Sequence, residues 1–150
     1  MLNSLLDILG SLLFLLAIPT LYLITLRNTL LLIKVKNRAI EPNNIWFMFI
    51  IFFNIFYHFK LVSCIATSLN NEFSDRNMPI DEKRPGETIG FINSIFLALS
   101  VITFLLRFNP QNLNLFLFSC AFISWIIYWV KISWYKNLLI LDNNYNINNE

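Results

Sequence analysis

The sequence predicts an all-α polytopic membrane protein, with four transmembrane helices arranged as two antiparallel hairpins. Three observations carry that expectation. The first is composition: 57% of the 150 residues are hydrophobic and 13% charged, with 15 Phe, 4 Trp and a mean hydropathy of +0.60. Average soluble domains carry ~25% charged residues, so this chain lacks the polar groups to cover a water-exposed surface. The same figures exclude disorder, which needs low hydrophobicity and high net charge. The second observation is four apolar runs close to the ~20 residues that a spanning helix needs. The third is that Pro- and Asn-rich connections separate those runs.

The first span is Ile8–Leu26, which carries no charge. Asp7 stands where a signal peptide would be basic, and the apolar run lasts 19 residues, so the segment reads as a retained helix. Pro19 removes a helix hydrogen bond at mid-span and predicts a kink. Thr29–Ile33 remains compatible with helix, which is expected to end near Asn37. Pro42 suits the first turn of helix two, where a missing N–H costs nothing. The second span, Ile45–Cys64, is uncharged only as far as Tyr57 and has to include His58 and Lys60. Ser68–Phe73 can extend that helix before Pro79 and Arg84-Pro85-Gly86 redirect the chain.

The third span, Thr88–Leu106, and the fourth, Leu113–Val130, are uncharged. The short turn between them, Arg107–Asn112, contains Pro110 and makes them antiparallel neighbours. Trp46 and the cluster Trp125, Tyr128, Trp129, Trp134 and Tyr135 read as interfacial anchors at headgroup depth. Residues 142–150 are Asn-rich with little to bury, and disorder is expected there. The transmembrane domain therefore occupies residues 1–141.

Four alternating spans put both ends of the chain on one side. Arg27, Lys34, Lys36, Arg38 and Arg107 then face one side, and Arg76, Lys83, Arg84, Lys131 and Lys136 the other. The positive-inside rule is tied, and orientation stays open.

Several chemistries find no support. A net charge of +2 with no basic stripe argues against nucleic acid. Cys64 and Cys120 sit in apolar stretches and make no disulfide framework. No phosphate loop, zinc motif, nucleophile elbow or paired catalytic carboxylates are present. One His is too few for a zinc site. No enzyme activity, cofactor or metal is expected.

Polar residues inside spans are expensive and are the candidate functional positions. Asn54 and His58 are four apart and share a helix face. With alternating spans, Asp7, His58, Lys60 and Asn93 fall in one layer, with Asn54 below them. One reading makes this cluster a pocket in which Asp7 pairs with Lys60 or His58. The other makes it interhelical hydrogen bonding worth ~0.6–2 kcal/mol per contact.

The residues also carry a family likeness. Asn37-Arg38, Pro42, Trp46, Phe53-Asn54 and His58-Phe59 form one block. Ile65-Ala66, Ser68-Leu69, Glu72-Phe73, Arg84-Pro85-Gly86 and Gly90 form a second. Trp125 to Ile132 with Tyr135-Lys136 forms a third. Together, over residues 1–138, they resemble a family of small uncharacterised bacterial four-helix integral membrane proteins carrying a domain of unknown function. The resemblance implies the fold class and the cell inner membrane, and it brings no activity. Two departures stand out: Ile51 replaces a Pro, and Lys60 replaces an apolar residue. The expected role is a non-enzymatic helical module that associates, within the lipid bilayer, with another membrane protein or a second copy of itself. The alternative is a small oligomeric transporter or channel with a polar pocket around Asn54 and His58.

Overall fold

A computed structural model describes the backbone of residues 2–106 and 112–147 and the side chains of 16–50, 53–106 and 112–145. Among the described residues there are four α-helices: α1 (Leu2–Leu32), α2 (Ile51–Asp75), α3 (Glu87–Leu105) and α4 (Leu113–Ile147). Among the described residues there is no strand, so the all-α class holds.

The main departure from the expected layout lies between α1 and α2. Ile45–Cys64 reads as one helix in the sequence. In the structure, a 3-10 turn at Val35–Asn37 is followed by a 3-10 helix at Pro42–Phe49. Ile50 is extended, at φ −80° and ψ 102°, and α2 begins only at Ile51. Pro42 does open its helical segment, as expected.

The reason becomes clear from the helix ends. Arg76, which caps α2, donates to the carbonyl of Leu32 at the end of α1 (3.2 Å) and to Asp142 near the end of α4 (2.9 Å). The backbone N–H of Lys34 donates to Glu72 on the last turns of α2. Three helices therefore finish together, and α1, α2 and α4 run in one direction with α3 opposed. We call this the ion-paired end and its opposite the far end. Residues 33–50 form the return leg between two parallel helices. Its rungs are the Ala39 N–H donated to Ser68 Oγ (2.8 Å) and the Tyr57 hydroxyl donated to the Asn44 carbonyl (2.9 Å). A 3-10 helix rises ~2.0 Å per residue against 1.5 Å for an α-helix, so a short segment covers more of the return. Side chains of α2 bond backbone groups that the broken helix leaves open. The first expected hairpin is thus corrected: α1 and α2 are parallel, and the chain enters and leaves the bundle at opposite ends.

The second hairpin forms as expected, with α3 and α4 antiparallel. Gly90 sets its closeness, because a Cβ there would lie 2.5 Å from Val62 Cγ1 and 2.9 Å from Tyr128 Cε2. Gly86, with φ +75°, turns the chain into α3. The buried core includes Leu26, Leu30, Ile45, Leu61, Ile65, Leu69, Phe73, Tyr128, Ile132 and Leu139. On α2 the buried positions 58, 61, 62, 65, 69 and 72 follow the helical period.

Among the described residues, two helices are long and apolar enough to cross a membrane: α3 and the stretch Leu113–Tyr145 of α4. Only 22% of each apolar window is buried inside the molecule. Leu16–Leu32 of α1 is a shorter apolar helix. The Asn-rich stretch 142–150, expected to be disordered, instead extends α4 to Ile147, with Asp142 tied to Arg76; residues 148–150 lie outside the described residues.

Candidate functional site

At mid-height the four helices and the return leg converge on a cavity of about 410 Å³. Pro19 and Tyr22 of α1, Met48 of the return leg, Asn54 and His58 of α2, and Asn93 of α3 line it. Three of the five polar positions expected from sequence, Asn54, His58 and Asn93, are therefore together. Lys60 is not among them. It is exposed and lines a separate surface groove with Arg38, Glu41 and Tyr57. Two residues of helix rotate it ~200° from His58, which corrects its place in the cluster. The side chain of Asp7 lies outside the described residues, and so does its expected pairing.

His58 is 2% exposed. Its Nδ1 lies 2.6 Å from Ser94 Oγ, which is also 2.9 Å from the Gly90 carbonyl, and its Nε2 lies 3.4 Å from the Tyr22 hydroxyl. The imidazole joins α1, α2 and α3. Both ring nitrogens are committed to protein partners.

Asn54 behaves differently. Its Oδ1 is buried and finds no donor among the described residues. Buried acceptors of this kind are few in folded proteins and call for a reason. Asn93 is 3% exposed, with Ser124 Oγ 3.5 Å from its Oδ1. Among the described residues the cavity wall bears no Asp, Glu, Lys or Arg.

The aromatic cluster of α4, expected as an interfacial belt, largely packs inward. Tyr22 meets Trp125 and Trp129 edge-on at 5.3 Å and 5.9 Å, and Tyr128 is 1% exposed. Trp129 Nε1 donates to Thr25 Oγ1 (3.0 Å). Trp134 remains outward.

A second polar site, at the ion-paired end, went unread in the sequence. The Glu72 carboxylate is fully buried and accepts from the Lys34 N–H (3.0 Å), Asn37 Nδ2 (2.7 Å) and Arg76 Nε (2.8 Å). Burial alone would raise its pKa; the hydrogen bonds from Asn37, Arg76 and Lys34 outweigh burial and hold it below the usual carboxylate range. Beside it, Lys34 and Lys36 grip Asp75 at 2.7 Å and 2.5 Å and hold its carboxyl well below that range. Lys131 pairs with Glu82, whose other oxygen accepts from the Gly86 N–H (2.8 Å). The available signal was the Glu72–Arg76 spacing of four, which puts acid and base on one helix face.

Among the described residues no group of three or more His, Cys, Asp or Glu could hold a metal ion. No known protein family, curated protein or solved structure matches the chain.

Proposed function

We propose that the chain is an integral membrane protein, a non-enzymatic helical module that works by association within the bilayer. The observation that carries this reading is the low burial of its most apolar helices. A core helix of a water-soluble domain is mostly buried, whereas the apolar windows of α3 and α4 are 22% buried. Ile95, Ile102, Phe104, Leu115, Phe118 and Phe122 all face outward. Water would charge ~25 cal/mol for each Å² of such surface left uncovered, while lipid covers it without loss. In this reading α1, α2, α3 and α4 each cross the membrane. The return leg packs beside them, with Ile45 and Met48 buried, Trp46, Phe47, Phe49 and Ile50 turned outward, and backbone groups of Ala39 and Asn44 paired with α2 side chains.

With all four helices crossing, the parallel course of α1 and α2 supports one orientation by the positive-inside count. Lys34, Lys36 and Arg38 follow the end of α1 and join Arg76, Lys83, Arg84, Lys131 and Lys136. Arg107, after α3, belongs to the opposite side. The ion-paired end is then the cytoplasmic one. For a bacterial chain of the kind it resembles, the membrane is the cell inner membrane.

Topology reporters fused before α1 and after α4 test this. The expected result is opposite sides, with the α4 fusion cytoplasmic; both reporters on one side would refute the layout. Alkaline carbonate extraction is expected to leave the protein in the membrane pellet, and its release would refute the membrane reading itself. Cross-linking in native membrane is expected to trap a second copy or another membrane protein. A strictly monomeric protein that co-isolates with nothing would remove the association role.

The cavity favours a second reading, a small oligomeric transporter or channel. Flux into liposomes that falls on Asn54→Leu would support it, and flux indifferent to that change would end it.

A further inference from the structure

We propose that the mid-height cavity is a binding site for an uncharged, largely apolar molecule carrying a hydroxyl group, taken up sideways from the lipid. The membrane reading above supplies only the route of entry; the site itself rests on three independent features.

The first is size. At about 410 Å³ the cavity lies in the ~300–1,000 Å³ range of small-molecule sites. The second is chemistry. Among the described residues no ionised side chain lines the wall, so a charged ligand would be desolvated without a counter-charge, a heavy penalty. The two ring nitrogens of His58 are occupied by Ser94 and Tyr22. The unmet need is an acceptor, the buried Oδ1 of Asn54. A hydroxyl donor satisfies it, while an alkane or an ether leaves it as it stands. The third feature is the mouth. Phe49, Phe118 and Phe122 line the cavity and are also 46%, 59% and 49% exposed on the outer face. An opening framed by outward-facing phenylalanines admits an apolar molecule and disfavours a solvated ion. Pro19 stands in the same wall.

The test uses the purified full chain in detergent and a brominated long-chain primary alcohol, with its methyl ether as the matched probe lacking a donor. Trp125 lines the cavity, so heavy-atom quenching of tryptophan fluorescence reads occupancy. Saturable quenching by the alcohol is expected, at a concentration about tenfold below that needed for the ether, the usual scale for one buried hydrogen bond made or missed. Asn54→Leu is expected to bind both probes alike, because only the hydroxyl's partner is gone. Ala121→Phe fills the wall and is expected to abolish saturable quenching by either probe. Equal binding of alcohol and ether to the unaltered chain would overturn the proposal, as would saturable quenching that survives Ala121→Phe. Carbonate extraction reports separately on the membrane reading, so a soluble protein that still prefers the alcohol leaves the site standing and removes only the lateral route.

Discussion

The ion-paired end and the mid-height cavity treat buried polar groups in opposite ways. At the end, every oxygen of a fully buried carboxylate is met: Glu72 takes three donors from three places in the chain. At mid-height an amide oxygen equally hidden from solvent takes none among the described residues. The first arrangement fixes where helices finish; the second leaves a need that no described side chain meets. A bundle built only for stability would have no reason to keep the bare acceptor, since an apolar side chain of similar shape avoids its desolvation cost.

This contrast can be broken most directly at Arg76. Arg76→Met leaves the buried Glu72 carboxylate without its counter-charge, and unfolding stability in detergent is expected to drop by ~3–5 kcal/mol. Gly90→Ala comes next. Ala favours helix, but its Cβ meets Val62 and Tyr128, and overpacking is expected to cost ~1–3 kcal/mol. A Gly90→Ala, Val62→Ala pair should recover part of that loss. His58→Leu severs the bridge among α1, α2 and α3 and is expected to cost ~1–2 kcal/mol.

Acid sharpens the comparison further. Glu72 holds its proton less readily folded than unfolded, so its contribution is full above the ordinary carboxylate range and is lost as pH falls through and below it. Thermal midpoints measured from pH 6 down to pH 3 should decline, and Glu72→Gln should flatten the decline. The smallest effect, and the one of opposite sign, belongs to Asn54→Leu. Removing an unmet acceptor is expected to leave stability unchanged or raise it by ~1 kcal/mol. A marked loss there would mean that Asn54, like His58, serves to hold helices together.

Much of this organisation is legible in the residues. The α3 and α4 helices, their antiparallel course and the start at Pro42 follow from hydropathy and breaker chemistry. The i, i+4 spacing of Asn54 and His58 put both on the cavity, and Asn93 joined them. The direction of α1 was not legible, because hydropathy marks which segments are apolar and carries no record of the path between them. Ile45–Tyr57 is a continuous uncharged run, so nothing in it announced the extended Ile50. Lys60 was assigned by depth, whereas its direction around the helix governs what it touches. Glu72 and Arg76 were hidden in a polar stretch that looked like helix fading into loop. Their partners lie more than thirty positions away, at Lys34 and Asn37.

The return leg has a consequence for the order in which the molecule comes together. Its backbone leans on groups made after it: Asn44 waits for Tyr57, Ala39 for Ser68, and Lys34 for Glu72. When synthesis has reached residue 50, none of those partners exists. Residues 33–50 then carry unmet groups at Lys34, Ala39 and Asn44; in the membrane reading proposed above, hydrocarbon would not accept them, and the segment waits at the aqueous surface. Emergence of α2 supplies the missing bonds and draws the earlier segment in beside it. Assembly therefore runs against the order of the sequence, with the second helix setting the place of the residues that precede it.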